Sequence, residues 1–174
     1  SALVSSGAIK LSDATKILRL RGEAMQNAVP INVGAMAALI GVEIDIIDKL
    51  RSNYVNVNEV LDIGNDNSPG QMVISGHSSV VDKVIKEYKS LGIKRAIKLP
   101  VSAPFHCGLM KKAAYDMEEH LNSLEVLSPN IILINNVDAL PISDPLKIKE
   151  SLIKQITKTV RWRESVQNMC DLGV

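Results

Sequence analysis

Two side chains of this 174-residue sequence invite a chemical reading, a histidine in a loop and an arginine on an apolar helix face. His106 stands near the end of the run Pro100-Val101-Ser102-Ala103-Pro104-Phe105-His106-Cys107, between a predicted strand and a predicted helix. An imidazole titrates near neutrality, so it suits taking a proton from a hydroxyl nucleophile and returning it to a leaving group. Loops positioned by rigid elements concentrate such groups, although a lone histidine often serves structure alone. Arg21 interrupts an otherwise apolar stripe, and two readings of it stand side by side. Either its stem snorkels from a helix edge, or its guanidinium sits in a cleft and takes a carboxylate through two parallel hydrogen bonds, which lysine does less well.

The other reactive residue types read more plainly. Cys107 adjoins His106, but adjacent side chains diverge, and a small buried thiol opening a helix is the simpler reading. Cys170 reads as core on the last helix, and His77 and His120 as solvated. Asn65 and Asn67 beside Pro69-Gly70 suit a turn, while Asn135-Asn136 follow an apolar run where strand ends line clefts or cap loops. Gly64, Gly70 and Gly76 lack the spacing of a phosphate-binding loop. No serine lies in a G-x-S-x-G elbow, and no His, Cys or carboxylate pair has metal-ligand spacing. The chain offers a candidate base without a visible nucleophile.

Composition narrows the partners. Twenty Lys+Arg against nineteen Asp+Glu give a net charge of +1, with no basic stripe to neutralise phosphates. Three Tyr, one Trp and one Phe are too few for a base-stacking platform, so nucleic acid is not an expected partner. No apolar run approaches the ~18 residues of a membrane span, the first residues lack the pattern of a signal peptide, and two distant cysteines give no disulfide framework. The expectation is a cytoplasmic globular protein, with an apolar fraction of 46%.

Three blocks position these residues, punctuated at Pro30 and Pro100. Ser12 to Val29 predicts a helix capped by Ser12 or Asp13, with Ala14, Ile17, Leu18, Arg21, Ala24, Met25 and Ala28 on one face. The second block predicts a strand at Met36–Ile40, a helix at Val42–Leu50, strands at Glu59–Ile63 and Gln71–Ser75 joined by an Asn67–Gly70 turn, a helix at Ser78–Leu91 and a strand at Ile93–Leu99. That order is the split βαββαβ, or ferredoxin-like, arrangement, which gives a four-stranded sheet with both helices on one face. The third block predicts a helix over Cys107–Leu121, a buried parallel strand at Ile131–Ile134, a helix opened by Asp144-Pro145 and a last helix from Arg163 towards Cys170. The flanking blocks hold several helices and one convincing strand. Layered α/β packing needs more sheet than that, so the sequence reads as a fragment of a larger α/β domain.

Six segments, taken together and in order, resemble the malonyl-CoA–acyl carrier protein transacylase family across essentially the whole chain. They are Arg21-Gly22 with Met25-Gln26 and Pro30; Gly34-Ala35-Met36-Ala37-Ala38; Asn67-Ser68-Pro69-Gly70-Gln71 running into Val73-Ile74-Ser75-Gly76-His77; Pro100 to Cys107 with Leu109-Met110; Asn135-Asn136-Val137-Asp138; and Val160-Arg161-Trp162. The resemblance implies an α/β-hydrolase-like acyltransferase core, partial here, over residues 1–33 and 101–174, with a ferredoxin-like subdomain inserted at 34–100. It implies ping-pong transfer of malonyl from coenzyme A to the phosphopantetheine thiol of acyl carrier protein in fatty acid synthesis, with the coenzyme A thioester as substrate and no bound cofactor or metal. His106 matches the family's general base and Arg21 the arginine that grips the malonyl carboxylate. Phe105 resembles malonyl-selective members, where the ring would crowd an α-methyl branch. Asn65, Asn67 and Asn136 match cleft-lining positions.

The same resemblance implies what is missing. The family's nucleophilic serine lies immediately upstream of the point matching Ser1. A glutamine loop that helps form the oxyanion hole and a C-terminal segment that orients the histidine are also expected to lie outside the chain, and the 174 residues alone are expected to be inactive. Thr159 stands where many relatives have proline. Two alternatives remain: an acyltransferase domain of a polyketide synthase, and a non-catalytic fragment that docks a carrier protein.

Overall fold

The computed structural model describes residues 1–174. After a short helix α1 (Ala2–Ser5), the chain forms α2 (Leu11–Gln26), β1 (Gly34–Val42), α3 (Ile46–Tyr54), β2 (Leu61–Ser68), β3 (Gly70–His77), α4 (Ser78–Glu87) and β4 (Arg95–Lys98). A 3-10 turn at Gly108–Met110 leads into α5 (Lys111–Asn122), followed by α6 (Pro145–Lys154), β5 (Val160–Arg161) and α7 (Trp162–Asp171). The result is a mixed α/β fold with one five-stranded sheet in the order β4-β1-β3-β2-β5.

The first four strands form antiparallel pairs, β1 with β3 and β4, and β3 with β2. Helices α3 and α4 cover one face of this sheet. Val80, Val81 and Val84 recur at helical spacing on α4 and are fully buried against Leu39, Leu50 and Ile74. The hairpin is tighter than the predicted Asn67–Gly70 turn. Both strands run to its tip, leaving Pro69 alone between them with Gly70 at φ +75°. Asn67 therefore belongs to β2, where register shifts lie between Ile63 and Asn65 and between Asp66 and Ser68. Such irregularities bend a strand and re-aim its side chains.

A second apolar cluster lies outside the sheet. Met110, Ala113, Met117 and Leu121 project from the start and body of α5 onto Met25 of α2 and Ile148 of α6, with Ile156 beneath. The predicted α2 face needs one correction, because Leu18 points outward at 59% exposure and Leu20 packs inward instead. The helix also starts earlier than expected. Lys10 is its N-cap without a side-chain bond, and Asp13 sits in the first turn. Asp144 does cap α6, accepting from the Leu146 and Lys147 amides, with Pro145 at the first helical position.

The expected strand at Ile131–Ile134 does not form. Only an isolated bridge joins Ile134 to Pro141, and Ile131 and Ile132 are 59% and 72% exposed. No other strand of the chain runs beside this segment, so its apolar side chains have nothing to pack between. The strand that does join these flanks to the sheet is β5, two residues paired in parallel with Asn65 and Asp66 of β2. Close packing seals the same boundary, since a Cβ at Gly34 would lie 2.2 Å from the Pro104 ring.

Candidate functional site

The loop after β4 carries His106 in a conformation that few non-glycine residues adopt, at φ +58°. Its neighbours hold it there. Phe105 packs against the α2–α5 cluster, and the fully buried Cys107 donates its thiol proton to the Pro104 carbonyl at 3.1 Å. The Gly108 amide donates to Asp62 Oδ2 at 2.9 Å. Burial pushes the Cys107 thiol above its ordinary value, which removes it as a nucleophile.

The imidazole Nδ1 lies 2.8 Å from the Gln155 carbonyl at the end of α6. A carbonyl only accepts, so this bond places the proton on Nδ1 and leaves Nε2 with a free lone pair. That is the tautomer a general base needs. Burial pushes the imidazole pKa below its ordinary value; the Gln155 carbonyl opposes the shift and the Arg21 charge adds to it. A histidine so placed is neutral, and hence basic, over more of the physiological range. Gln155 also corrects one expectation: the group that orients the histidine lies within the chain.

Arg21 reaches the same region from α2. Four of the chain's six arginines meet a carboxylate: Arg19 with Glu23, Arg51 with Asp62, Arg161 with Glu164 and Arg163 with Asp66. Arg95 is exposed to solvent. Arg21 alone is half-buried with neither a carboxylate nor a hydrogen-bond partner from the chain, and burial lowers its pKa. A desolvated guanidinium without its anion is the arrangement expected of a carboxylate receptor.

The remaining residues separate. Asn136 lines a cleft of about 200 Å³ with Ser1, Leu3, Ile134 and Gln155, which does not include His106. Asn65 is half-buried on β2 beside β5. Asn67 lies apart, in a groove with Trp162 and Arg163. A second cleft, about 340 Å³, opens directly beside His106 and is lined by Asp62, Lys111, Thr157 and Thr159 among others. The Thr159 hydroxyl donates to the Ile63 carbonyl at 2.7 Å, a bond that proline could not make. Two further expectations are corrected. His77 is half-buried and accepts from the Val60 amide at 2.8 Å, so it is structural rather than solvated. Cys170 is exposed rather than core because it projects from the outer side of α7. His120 is exposed, as expected.

Three contributors were not singled out in the sequence. Gln155 acts through its backbone, which leaves no side-chain signature. Asp62 and Asp66 lie in a strand whose partners are far along the chain. Asp66, only 3% exposed, receives Arg163 Nε at 3.1 and 3.0 Å and Nη2 at 2.8 Å. The Leu61-Asp62-Ile63 step at the start of β2 is the one available signal, and it points to Asp62 alone.

No protein-family model matches the chain. Over all 174 residues it is 40% identical to the malonyl CoA-acyl carrier protein transacylase of Haemophilus influenzae and 36% identical to that of Staphylococcus aureus, covering 55% and 56% of those proteins. The chain thus spans about half the length of the curated relatives it matches. Among solved structures, an acyl carrier protein S-malonyltransferase from Vibrio cholerae superposes with a TM-score of 0.95 at 46% identity, over 99% of this chain and 56% of that one. A type II polyketide synthase acyl carrier protein in complex with its malonyl-transacylase gives a TM-score of 0.95 at 37% identity, over 99% of this chain and 56% of that one.

Proposed function

We propose that these residues are the base-bearing and acid-recognising half of a malonyl-CoA–acyl carrier protein transacylase. The observation that carries this reading is the unpartnered, half-buried Arg21 beside a histidine whose Nε2 is free to accept a proton. The relatives' names and their similarity along the whole chain point the same way. Two separate apolar clusters support the division into a ferredoxin-like subdomain over 34–100 and parts of an α/β-hydrolase-like core over 1–33 and 101–174. No helix is long and apolar enough to cross a membrane, and the cytoplasm is the setting that the resemblance to fatty acid synthesis enzymes implies.

In this mechanism a serine hydroxyl, supplied by the segment that the resemblance places before Ser1, adds to the malonyl thioester carbonyl as its proton passes to His106 Nε2. Collapse of the tetrahedral adduct breaks the carbon–sulfur bond, and the departing coenzyme A thiolate takes that proton. The carrier's phosphopantetheine thiol then gives its proton to His106 and attacks the malonyl-serine ester, and the serine oxygen recovers the proton on leaving. Arg21 holds the malonyl carboxylate throughout. Phe105 narrows the space beside the α-carbon, and Asn65 contributes to the lining, whereas Asn67 and Asn136 open into other clefts. The 174 residues alone carry out no transfer. Polyketide synthesis is the second setting, favoured by the likeness to the polyketide malonyl-transacylase complex.

Selectivity tests the reading. In the full-length protein, Arg21→Ala lowers kcat/KM for malonyl-CoA by about 10- to 100-fold, the equivalent of one charged hydrogen-bond pair at ~1.5–3 kcal/mol, and leaves acetyl-CoA turnover nearly unchanged. A malonyl-to-acetyl ratio equal to that of the wild type removes Arg21 from the site.

A further inference from the structure

The cleft beside His106 contains a carboxylate that acyl transfer does not use. Asp62 Oδ1 receives Arg51 Nη2 at 2.6 Å, and Arg51 Nε is itself anchored to the Leu61 carbonyl at 2.8 Å. Asp62 Oδ2 receives the Gly108 amide at 2.9 Å. One oxygen is therefore fastened to α3, and the other holds the first turn after the histidine. That amide is one of the donors a helix start leaves without an intrahelical partner. Among the backbone groups of residues 103–110 it makes the only hydrogen bond to the sheet; the other backbone bonds there close the loop on itself, and the His106 ring reaches the end of α6. A left-handed residue such as His106 keeps its conformation only while its surroundings over-determine it.

We propose that Asp62 is a positioning residue, which aims the His106 imidazole through the Gly108 amide without touching substrate. The proposal rests on the transferase reading for the reaction it serves, and on these hydrogen bonds for its geometry. It explains why a half-exposed aspartate on β2 spans two elements that share no apolar core. It also connects the sheet cluster to the chemistry, since the acceptor lies on a strand of one region and the base in a loop of the other.

Three variants of the full-length protein test it. Asp62→Ala frees the loop and lowers kcat for malonyl transfer about 10- to 100-fold, in line with the cost of slight misplacement of a catalytic group, with KM for malonyl-CoA unchanged. Asp62→Asn keeps an oxygen for the Gly108 amide and recovers most of the rate. Gly108→Pro removes the donor and leaves Asp62 intact. Cys107 is already extended at φ −140° and ψ 173°, as a residue before proline must be. The proline Cδ takes the place of the amide hydrogen and displaces the Asp62 carboxylate, so this variant parts Asp62 from the loop and lowers kcat as Asp62→Ala does. The imidazole titration of His106, followed by NMR, separates aim from bulk stability. Arg51, Lys111 and Lys158 line the cleft that the ring opens into and Arg21 acts on the ring from α2, in every variant, and the Asp62 charge is lost in both substitutions at that position. A higher pKa in Asp62→Ala than in Asp62→Asn therefore reports water reaching a displaced ring. Equal titrations with equal kcat values overturn the proposal, as does wild-type kcat in Gly108→Pro should the Asp62 variants fail to fold. A titration that moves as expected, in a wild-type protein that takes up no malonyl group, supports the positioning role and overturns only the transferase reading.

Discussion

Residues 34–100 and the flanks on either side are stabilised in different ways. The sheet region closes on a core of thirteen buried residues, with long antiparallel ladders and two covering helices. The flanks pack helix against helix around a smaller cluster of eleven and leave much of their apolar surface uncovered. Of the nineteen exposed large apolar residues, four lie in 34–100 and the others in the flanks. Yet His106, Arg21, Phe105 and Gln155 all belong to the flanks. In this molecule the self-sufficient region supplies rigidity, and the region with unsatisfied surface carries the residues proposed for chemistry. Their junction is mostly polar: Asp62 to Gly108, Thr159 to Ile63 and Asp66 to Arg163.

The largest effect that separates the two regions is on rate. His106→Ala in the full-length protein lowers malonyl transfer by about 10²- to 10⁴-fold, the usual range for a general base, and moves the thermal midpoint by about 4 °C or less. Normal single-turnover acylation in that variant would break the assignment of chemistry to the flanks. Next comes a contrast in stability. Ile74→Ala opens a hole in the fully buried sheet core and costs about 2–5 kcal/mol in denaturant melts, whereas Ile132→Ser, at a largely exposed flank position, costs nearly nothing in the 174-residue chain. Equal losses would mean that the flank segment is buried in solution.

The smallest effect is electrostatic. Glu59 accepts from the Ser79 hydroxyl at 2.6 Å and from the Asn56 amide at 3.0 Å, which lowers its pKa to about 2. A carboxylate depressed in the folded state stabilises above its unfolded value and loses that contribution as pH falls through its folded value. Wild type is therefore slightly more stable than Glu59→Gln above pH ~4.5, and the difference fades towards pH 2. Parallel denaturation midpoints across that range would show that the Ser79 bond contributes nothing to holding α4 on the sheet.

The same contrast governs what could be read from the sequence. The α4 and α5 faces, the Asp144-Pro145 helix start and the succession of strands and helices between residues 34 and 100 were legible because each follows from local periodicity or a turn. The segment Ile131–Ile134 has the composition of a buried strand, but composition does not supply a neighbour to pair with. The β5 strand escaped for the opposite reason, since two residues carry no periodicity and their partners lie 95 positions earlier. His106 and Arg21 stood out as residue types in unusual places. The atoms that make them useful did not, because one is a backbone carbonyl and another a carboxylate whose partner amide is 46 residues away.

The parallel seam between β2 and β5 also has a consequence in time. Only Asn65 with Val160 and Asp66 with Arg161 pair across it, and Gln155, which orients the histidine, lies five residues before. Proteins open in units, each with its own free energy, and short marginal pairings open far more often than long buried ladders. The proposed alignment of the histidine therefore depends on a short seam, two strand pairs reinforced by the Thr159–Ile63 and Arg163–Asp66 bonds, which opens more often than the ladders of the sheet itself.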